Sequence, residues 1–195
     1  MLLARSIFFT LFSSQIQPIT LDRSITDGTP LSSPLPPHVQ PQYYGAIIAA
    51  EAIGNSGDTC VIELSIADDR ISGYAFYEHG HLVRALIINS QAFLSTASAP
   101  RTSVHITLSG DVPTVMTVKR LNIPLVFLSY LWTVSLTSSF LTHRHADATS
   151  GLTWGGQHYE TTDGKVSPGV AKVELVNVSD GVDIQETEAV LLSFA

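Results

Sequence analysis

A chain of 195 residues is long enough to bury one core of ordinary domain size. Hydrophobic residues make up 45% and charged residues 14%, which excludes a disordered chain. Ten Lys and Arg against 17 Asp and Glu give a net charge of -7 with no basic run. Nucleic acid is thereby excluded as a partner and an anionic membrane surface is a poor one, because phosphate binding needs clustered Lys and Arg. The single cysteine, Cys60, excludes an internal disulfide and a Cys-rich metal site. It lies in the apolar run Cys60–Leu64 and is expected to pack as a small hydrophobe.

In chain order, Met1–Phe12 carries one Arg and a short apolar run, Ile7–Phe12. It has the outline of a signal peptide but no small-residue cleavage site, and the preferred reading is a broken-off piece of a larger domain. Ser24–Pro41 is rich in Pro, Ser and Thr, with prolines at 30, 34, 36, 37 and 41 that rule out regular helix and deny donors to a sheet. This is an extended connection. A helix follows over Gln42–Ile53, with Ala46, Ile47, Ala49, Ala50 and Ile53 forming a broad apolar face and Gly54 placed to end it. Residues 55–58 (NSGD) form a turn.

From Thr59 onward the helical period gives way to short alternating or wholly apolar runs. Strands are predicted over Thr59–Ser65, Gly73–Glu78, His81–Asn89, Ser103–Leu108, Thr114–Leu121, Leu152–Tyr159, Ala171–Asn177 and Ala189–Phe194. Glu78-His79-Gly80-His81 is a hairpin turn in which Gly80 takes positive φ. The implied fold class is mainly β, an antiparallel β-sandwich over residues 59–195 preceded by one helix over residues 42–54. Leu125–Leu141 breaks the pattern. It is uncharged and lacks period-2 alternation. At about 17 residues it touches the lower limit of a membrane span. Its Ser and Thr content and the flanking Arg120 and Arg144 weaken that reading, and a long loop is the alternative.

Few constellations carry chemistry. Glu51 falls on the helix, and Glu63, Glu78, Glu174 and Glu188 fall in or beside strands, where solvated or strand-edge charges are expected. Glu160 and Asp163 come nearest to a carboxylate pair, and a turn explains both. His79 with His81 and His143 with His145 have the i, i+2 spacing that shares a strand face, but no third ligand accompanies either, so no metal is expected. Trp154, Tyr159, Tyr74 and Tyr77 offer ring faces for sugar stacking. Trp154 and Tyr159 are the candidate carbohydrate contacts, weighed against the preferred reading of Trp154 as a core anchor. The paired glycines after Trp154 point to close backbone approach. Asn177-Val178-Ser179 is an N-glycosylation sequon, used only if the chain is secreted.

Gln17-Pro18-Ile19, YYGAIIAAEAIG (residues 43–54), Leu82-Val83-Arg84, Ile88-Asn89-Ser90, Lys119-Arg120-Leu121, TWGGQHYETTDG (153–164) and EAVLL (188–192) follow one another along the chain. Together they resemble the C-terminal region of fungal glycoside hydrolase family 79, the β-glucuronidases related to heparanase. The resemblance implies that the helix over residues 42–54 is the last helix of a catalytic TIM barrel, and that residues 1–41 hold a remnant of that barrel and a connection. It implies a parent enzyme that is secreted, retaining and free of cofactor, with two barrel glutamates that remove glucuronic acid from glycans. No position of this chain matches those glutamates, so no catalytic residue carries over. The expected role is an accessory β-sandwich, partnered by the barrel, reaching glucuronide-containing glycans through it and inactive alone. The helix face Ala46–Ile53 would then be exposed and adhesive. Relatives pass from a KRL-like strand through a short loop to the TWGGQ-like strand, so residues 125–144 also have the look of a retained intron translated in frame, the preferred account beside a loop and a membrane span. The other classes kept open are a free-standing carbohydrate-binding module and a single-pass membrane protein through residues 125–141.

Overall fold

The computed structural model describes Val39, residues 41–110, 112–122, Ala146, and residues 151–161, 165–167 and 170–194. Among them lie helix α1 (Pro41–Ile53) and strands β1 (Cys60–Glu63), β2 (Ile71–Glu78), β3 (His81–Asn89), β4 (Ser103–Ile106) and β5 (Val115–Asn122). Strands β6 (Thr153–Trp154), β7 (Glu174–Asn177), β8 (Val182–Gln185) and β9 (Glu188–Phe194) follow, with one 3-10 turn at Val178–Asp180 before β8. Seven strands form one sheet in the order β1-β2-β3-β9-β5-β6, with β7 also on β5; β4 and β8 form a separate pair. Every pairing is antiparallel. The fold is therefore mainly β, with one helix, as the spacing of apolar runs implies.

Both faces of the large sheet are covered, and this explains its unbroken apolar runs. Along β9, Ala189 and Leu191 join a core that includes Tyr44, Ile48 and Ala52 of α1. The intervening Val190 and Leu192 join a core that includes Val182 and Ile184 of β8. The period of 2 sends alternate side chains to opposite faces, so a strand buried on both sides must be apolar at every position. β9 is the central strand, paired with β3 on one side and β5 on the other.

Helix α1 opens at Pro41, a residue suited to the first helical position, and ends where Gly54 takes φ 73 and donates its N–H to the Ala50 carbonyl at 2.9 Å. Its buried stripe is Tyr44, Ile48 and Ala52, spaced i, i+4, i+8. Arg84 of β3 receives its C-terminus. The guanidinium donates to the Ala52 carbonyl at 2.7 Å and the Ile53 carbonyl at 3.1 Å, and pairs with Glu78. The Thr59 hydroxyl donates to the same Ile53 carbonyl at 2.7 Å. A guanidinium and a hydroxyl thus meet the negative end of the helix dipole.

The structure corrects several expectations. Cys60 is exposed rather than packed, because β1 is an edge strand with only its inner edge paired. Glu188 is no solvated charge: it opens the central strand and is 2% exposed. The stretch 152–159 is not one strand, since Gly155 (φ 55) and Gly156 (φ 74) make a two-residue hairpin turn closed by reciprocal hydrogen bonds between Trp154 and Gln157. β8 has no counterpart among the predicted strands. The helix face Ala46–Ile53 is not uniformly open, for Ile48 and Ala52 within it are buried and Ala50 and Glu51 are exposed. The segment at 125–144, Asp163 and the histidines at 143 and 145 lie outside the described residues. No helix among the described residues is long and apolar enough to cross a membrane.

Candidate functional site at the helix–sheet seam

The candidate site residues fall along the seam between α1 and the hairpin that begins at Trp154. β5 sets this up: Leu121 pairs with Trp154 and Asn122 with Thr153, which brings the hairpin under the helix. Trp154 is 0% exposed. Its Nε1–H donates to the Glu51 carboxylate at 2.6 Å, and Lys119 Nζ donates to the same carboxylate at 2.8 and 2.9 Å. Lys119 Nζ also stands 5.2 Å from the centre of the indole ring. Cation, carboxylate and indole thereby form a closed triangle, with charge-assisted hydrogen bonds and a cation–π contact reinforcing one another. A full burial of this kind leaves no indole face for a sugar. Trp154 is the core anchor.

Tyr159 is half-buried and stacks edge-on against two helix residues, with ring centres 6.1 Å from Tyr43 and 5.6 Å from Tyr44. The Tyr44 hydroxyl donates to the Leu152 carbonyl at 2.6 Å and accepts the Tyr159 N–H at 3.0 Å. Burial pushes the Tyr44 hydroxyl above its usual range, opposed by the Tyr159 N–H and reinforced by the Glu160 carboxylate. Burial likewise raises the Tyr159 hydroxyl, with Glu51 adding to the effect. Glu160 accepts the N–H groups of Gly151 and Leu152 at 2.5 and 3.0 Å, so it closes the loop that enters the hairpin. Tyr74 packs at the margin of the same core, whereas Tyr77 is not part of it. Of the four aromatics, Trp154, Tyr159 and Tyr74 thus join one core and Tyr77 does not, while Tyr159 meets Tyr43 and Tyr44 edge-on.

Glu51, Glu78, Glu160, Glu174 and Glu188 each bond within the fold, and Glu63 is exposed at the end of β1. Glu188 is the one carboxylate buried among the described residues. It accepts the Gln185 N–H at 2.8 Å and the Arg120 guanidinium at 3.3 Å. Arg120 also donates to Glu174 at 3.3 Å and to the Asp183 carbonyl at 2.9 Å. Glu174 and Glu188 thus meet at one guanidinium, but Glu188 is sealed from any substrate, and a glycosidase nucleophile must reach an anomeric carbon. Their geometry ties β5, β7, β8 and β9 together. His79 and His81 are exposed; His79, at φ 52, is in the two-residue β2–β3 turn and His81 opens β3. Among the described residues no group of three or more His, Cys, Asp or Glu is placed to hold a metal ion. Asn177 is exposed at the end of β7.

Sequence reasoning missed Tyr43, Glu51 and Lys119 as partners at this seam, and Arg120 as the partner of Glu188. The signal available for Glu51 was a lone carboxylate in an otherwise uncharged helix.

Comparisons with known proteins agree with this architecture. None of the curated proteins matches the chain. A solved structure that does is a novel 4-O-alpha-L-rhamnosyl-beta-D-glucuronidase from Fusarium oxysporum 12S, in complex with Rha-GlcA. It aligns with a TM-score of 0.56 and 25% sequence identity over 80% of this chain. This chain spans 30% of the length of that structure. The profile of the Glycosyl hydrolase family 79 C-terminal beta domain matches residues 73–191, from β2 into the central strand β9. With more than half of its length matched, and with the antiparallel sheet in place, the chain belongs to glycosyl hydrolase family 79 as its C-terminal beta domain.

Proposed function

We propose that this chain serves as the accessory β-domain of a secreted glucuronidase-like glycoside hydrolase, with no hydrolysis of its own. The observation that carries the reading is the commitment of the one buried carboxylate, Glu188, to Arg120 and the Gln185 N–H. A retaining mechanism needs two carboxyl groups about 5–5.5 Å apart and open to a sugar. The carboxylates of such an enzyme would then belong to its TIM barrel, and glucuronide-containing glycans would be bound there. The match to a rhamnosyl-glucuronidase of which this chain spans 30% supports a large partner domain. Helix α1 would be the last barrel helix, fixed to the sheet by Trp154, Lys119 and Arg84.

Two assays test this. The purified full chain is expected to leave an aryl glucuronide untouched, and measurable turnover would overturn the reading. Grafted in place of the corresponding domain of the Fusarium glucuronidase, residues 41–194 are expected to keep that enzyme folded and active. Deletion of the domain is expected to abolish both. A chimera that folds but has lost activity, while the deletion retains it, would refute the accessory role.

A further inference from the structure

The sequon Asn177-Val178-Ser179 plays no part in the accessory role. We propose that Asn177 is a site of N-linked glycosylation, and that its glycan lies over the apolar outer face of β7. The proposal rests on the secretory reading given above. Of Asn55, Asn89, Asn122 and Asn177, only Asn177 has Ser or Thr two residues on.

The structure presents this tripeptide in a form that accepts a glycan without unfolding. Val178 is buried at 4% exposure and its N–H donates to the Thr114 carbonyl at 2.9 Å, while Asn177 and Ser179 on either side are exposed. Asn177 has extended backbone, φ -71 and ψ 137. Its Nδ2 donates to the Asp180 carboxylate at 3.0 Å, a bond on the solvent side. The middle residue is thus pinned, while Asn177, which reacts, and Ser179, which the sequon requires for recognition, face outward.

A second observation concerns what the glycan would cover. β7 pairs with β5 along one edge, and no described strand pairs with its other edge. Leu175 is 76% exposed, and Val173 just before the strand is 54% exposed. Leu175 and Asn177 are two residues apart and share a face. An open edge with apolar side chains is a template for pairing with another chain, and it calls for a cover. A hydrophilic glycan rooted two residues from Leu175 supplies one.

The donor required is a polyprenyl-pyrophosphate-linked oligosaccharide. The Asn177 amide nitrogen forms a bond to the sugar C1, the C1–O bond to pyrophosphate breaks with its electron pair leaving on the phosphate, and one amide proton is lost to base. Nothing is oxidised or reduced.

The test is to express the full chain behind a cleavable signal peptide in a eukaryotic host. Peptide-N-glycosidase should shift it by one glycan and leave aspartate at position 177 in the mass spectrum. Ser179→Ala and Asn177→Gln should each remove the shift, and Ser179→Thr should keep it. Attachment precedes export, so protein retained in the cell reports as well as secreted protein. A bare Asn177 in both pools overturns the site. After enzymatic removal of the glycan from folded protein, sedimentation should show self-association that Leu175→Ser suppresses. An unchanged monomer overturns the covering role. Neither result depends on the activity of the grafted enzyme, so this proposal and the accessory reading fail separately.

Discussion

The two faces of the large sheet are sealed by different physics. Toward β4 and β8 the core consists of Ile71, Ala85, Ile87, Met116, Val118, Val178, Val182, Ile184, Val190 and Leu192, aliphatic side chains and one thioether with no polar handle. Toward α1 the core centres on Tyr44, Phe76 and Trp154. Its rim is tied by directional bonds through Glu51, Lys119, Arg84 and the Tyr44 hydroxyl. Strands laid on a sheet meet it over an area, where aliphatic side chains fill most of the space by shape. A single helix meets a sheet along one stripe, so its rotation and position need bonds that have direction. The helix face is fixed by bonds made by the helix itself, whereas the strand face has an aliphatic centre with its directional bonds, from Glu188, Arg120 and Asn89 to β8, at the margin.

Mutations can break or sharpen that contrast. The largest effect is expected for Trp154→Ala, which empties a fully buried site and leaves Glu51 and Lys119 without the ring: a loss of about 3–5 kcal/mol in urea unfolding. A loss below about 1 kcal/mol would remove Trp154 from the centre of the helix face. On the strand face Ile184→Ala should cost about 2–5 kcal/mol, and Ile184→Val only about 0.5–1.5, because volume is all that changes. The decisive comparison is Tyr44→Phe. It preserves the ring yet leaves the buried Leu152 carbonyl and the Tyr159 N–H without their partner, at a cost of about 1–3 kcal/mol. Equality with the unaltered protein in thermal unfolding would remove the Tyr44 hydroxyl from what fixes the helix face.

Tyr44 also has a pH signature. Its hydroxyl is raised by burial, so the folded state favours the neutral form. The stabilisation is full below the unfolded value of 10.0 and is lost as pH rises through the higher folded value. Tyr44→Phe should abolish that alkaline loss in denaturation midpoints measured across the range. The smallest effect belongs to a residue on neither face. The Arg70 guanidinium beside Asp68 holds its carboxyl down at about 2 against the ordinary 3.8. The sign is opposite: the contribution is complete above 3.8 and fades as pH falls toward about 2. Because the pair is exposed, Asp68→Asn should leave neutral-pH stability nearly unchanged, and carbon-13 titration of Asp68 reads the shift directly.

Much of the strand face was legible in the sequence, because apolar periodicity reports burial. The β2–β3 hairpin was given by His79-Gly80 and the run of β3 by its aliphatic content. β8 was missed although Val182, Asp183, Ile184 and Gln185 alternate buried and exposed after an Asp-Gly pair; four residues are too short a run to stand out. The helix was found to within a residue, but its buried stripe was not, since α1 is apolar nearly all round and periodicity cannot choose a side. The seam's bonds were illegible for another reason. Glu51 and Trp154 are 103 positions apart, and no local pattern links an isolated carboxylate to a distant indole. Cys60 and Glu188 show the same limit in reverse, for edge and centre positions in a sheet are set by topology rather than by neighbours in sequence.

The pairing of Asn122 with Thr153 has a consequence for how this family tolerates change. Two residues that face each other across an antiparallel ladder stand about 5 Å apart whatever joins them. The join is then a gate whose posts are already set. Tripling the length of a flexible join costs only about 1 kcal/mol in closure entropy. Mutation, or an engineer seeking a place to splice in a reporter, can lengthen the sequence here while β5 and the Trp154 hairpin keep their register.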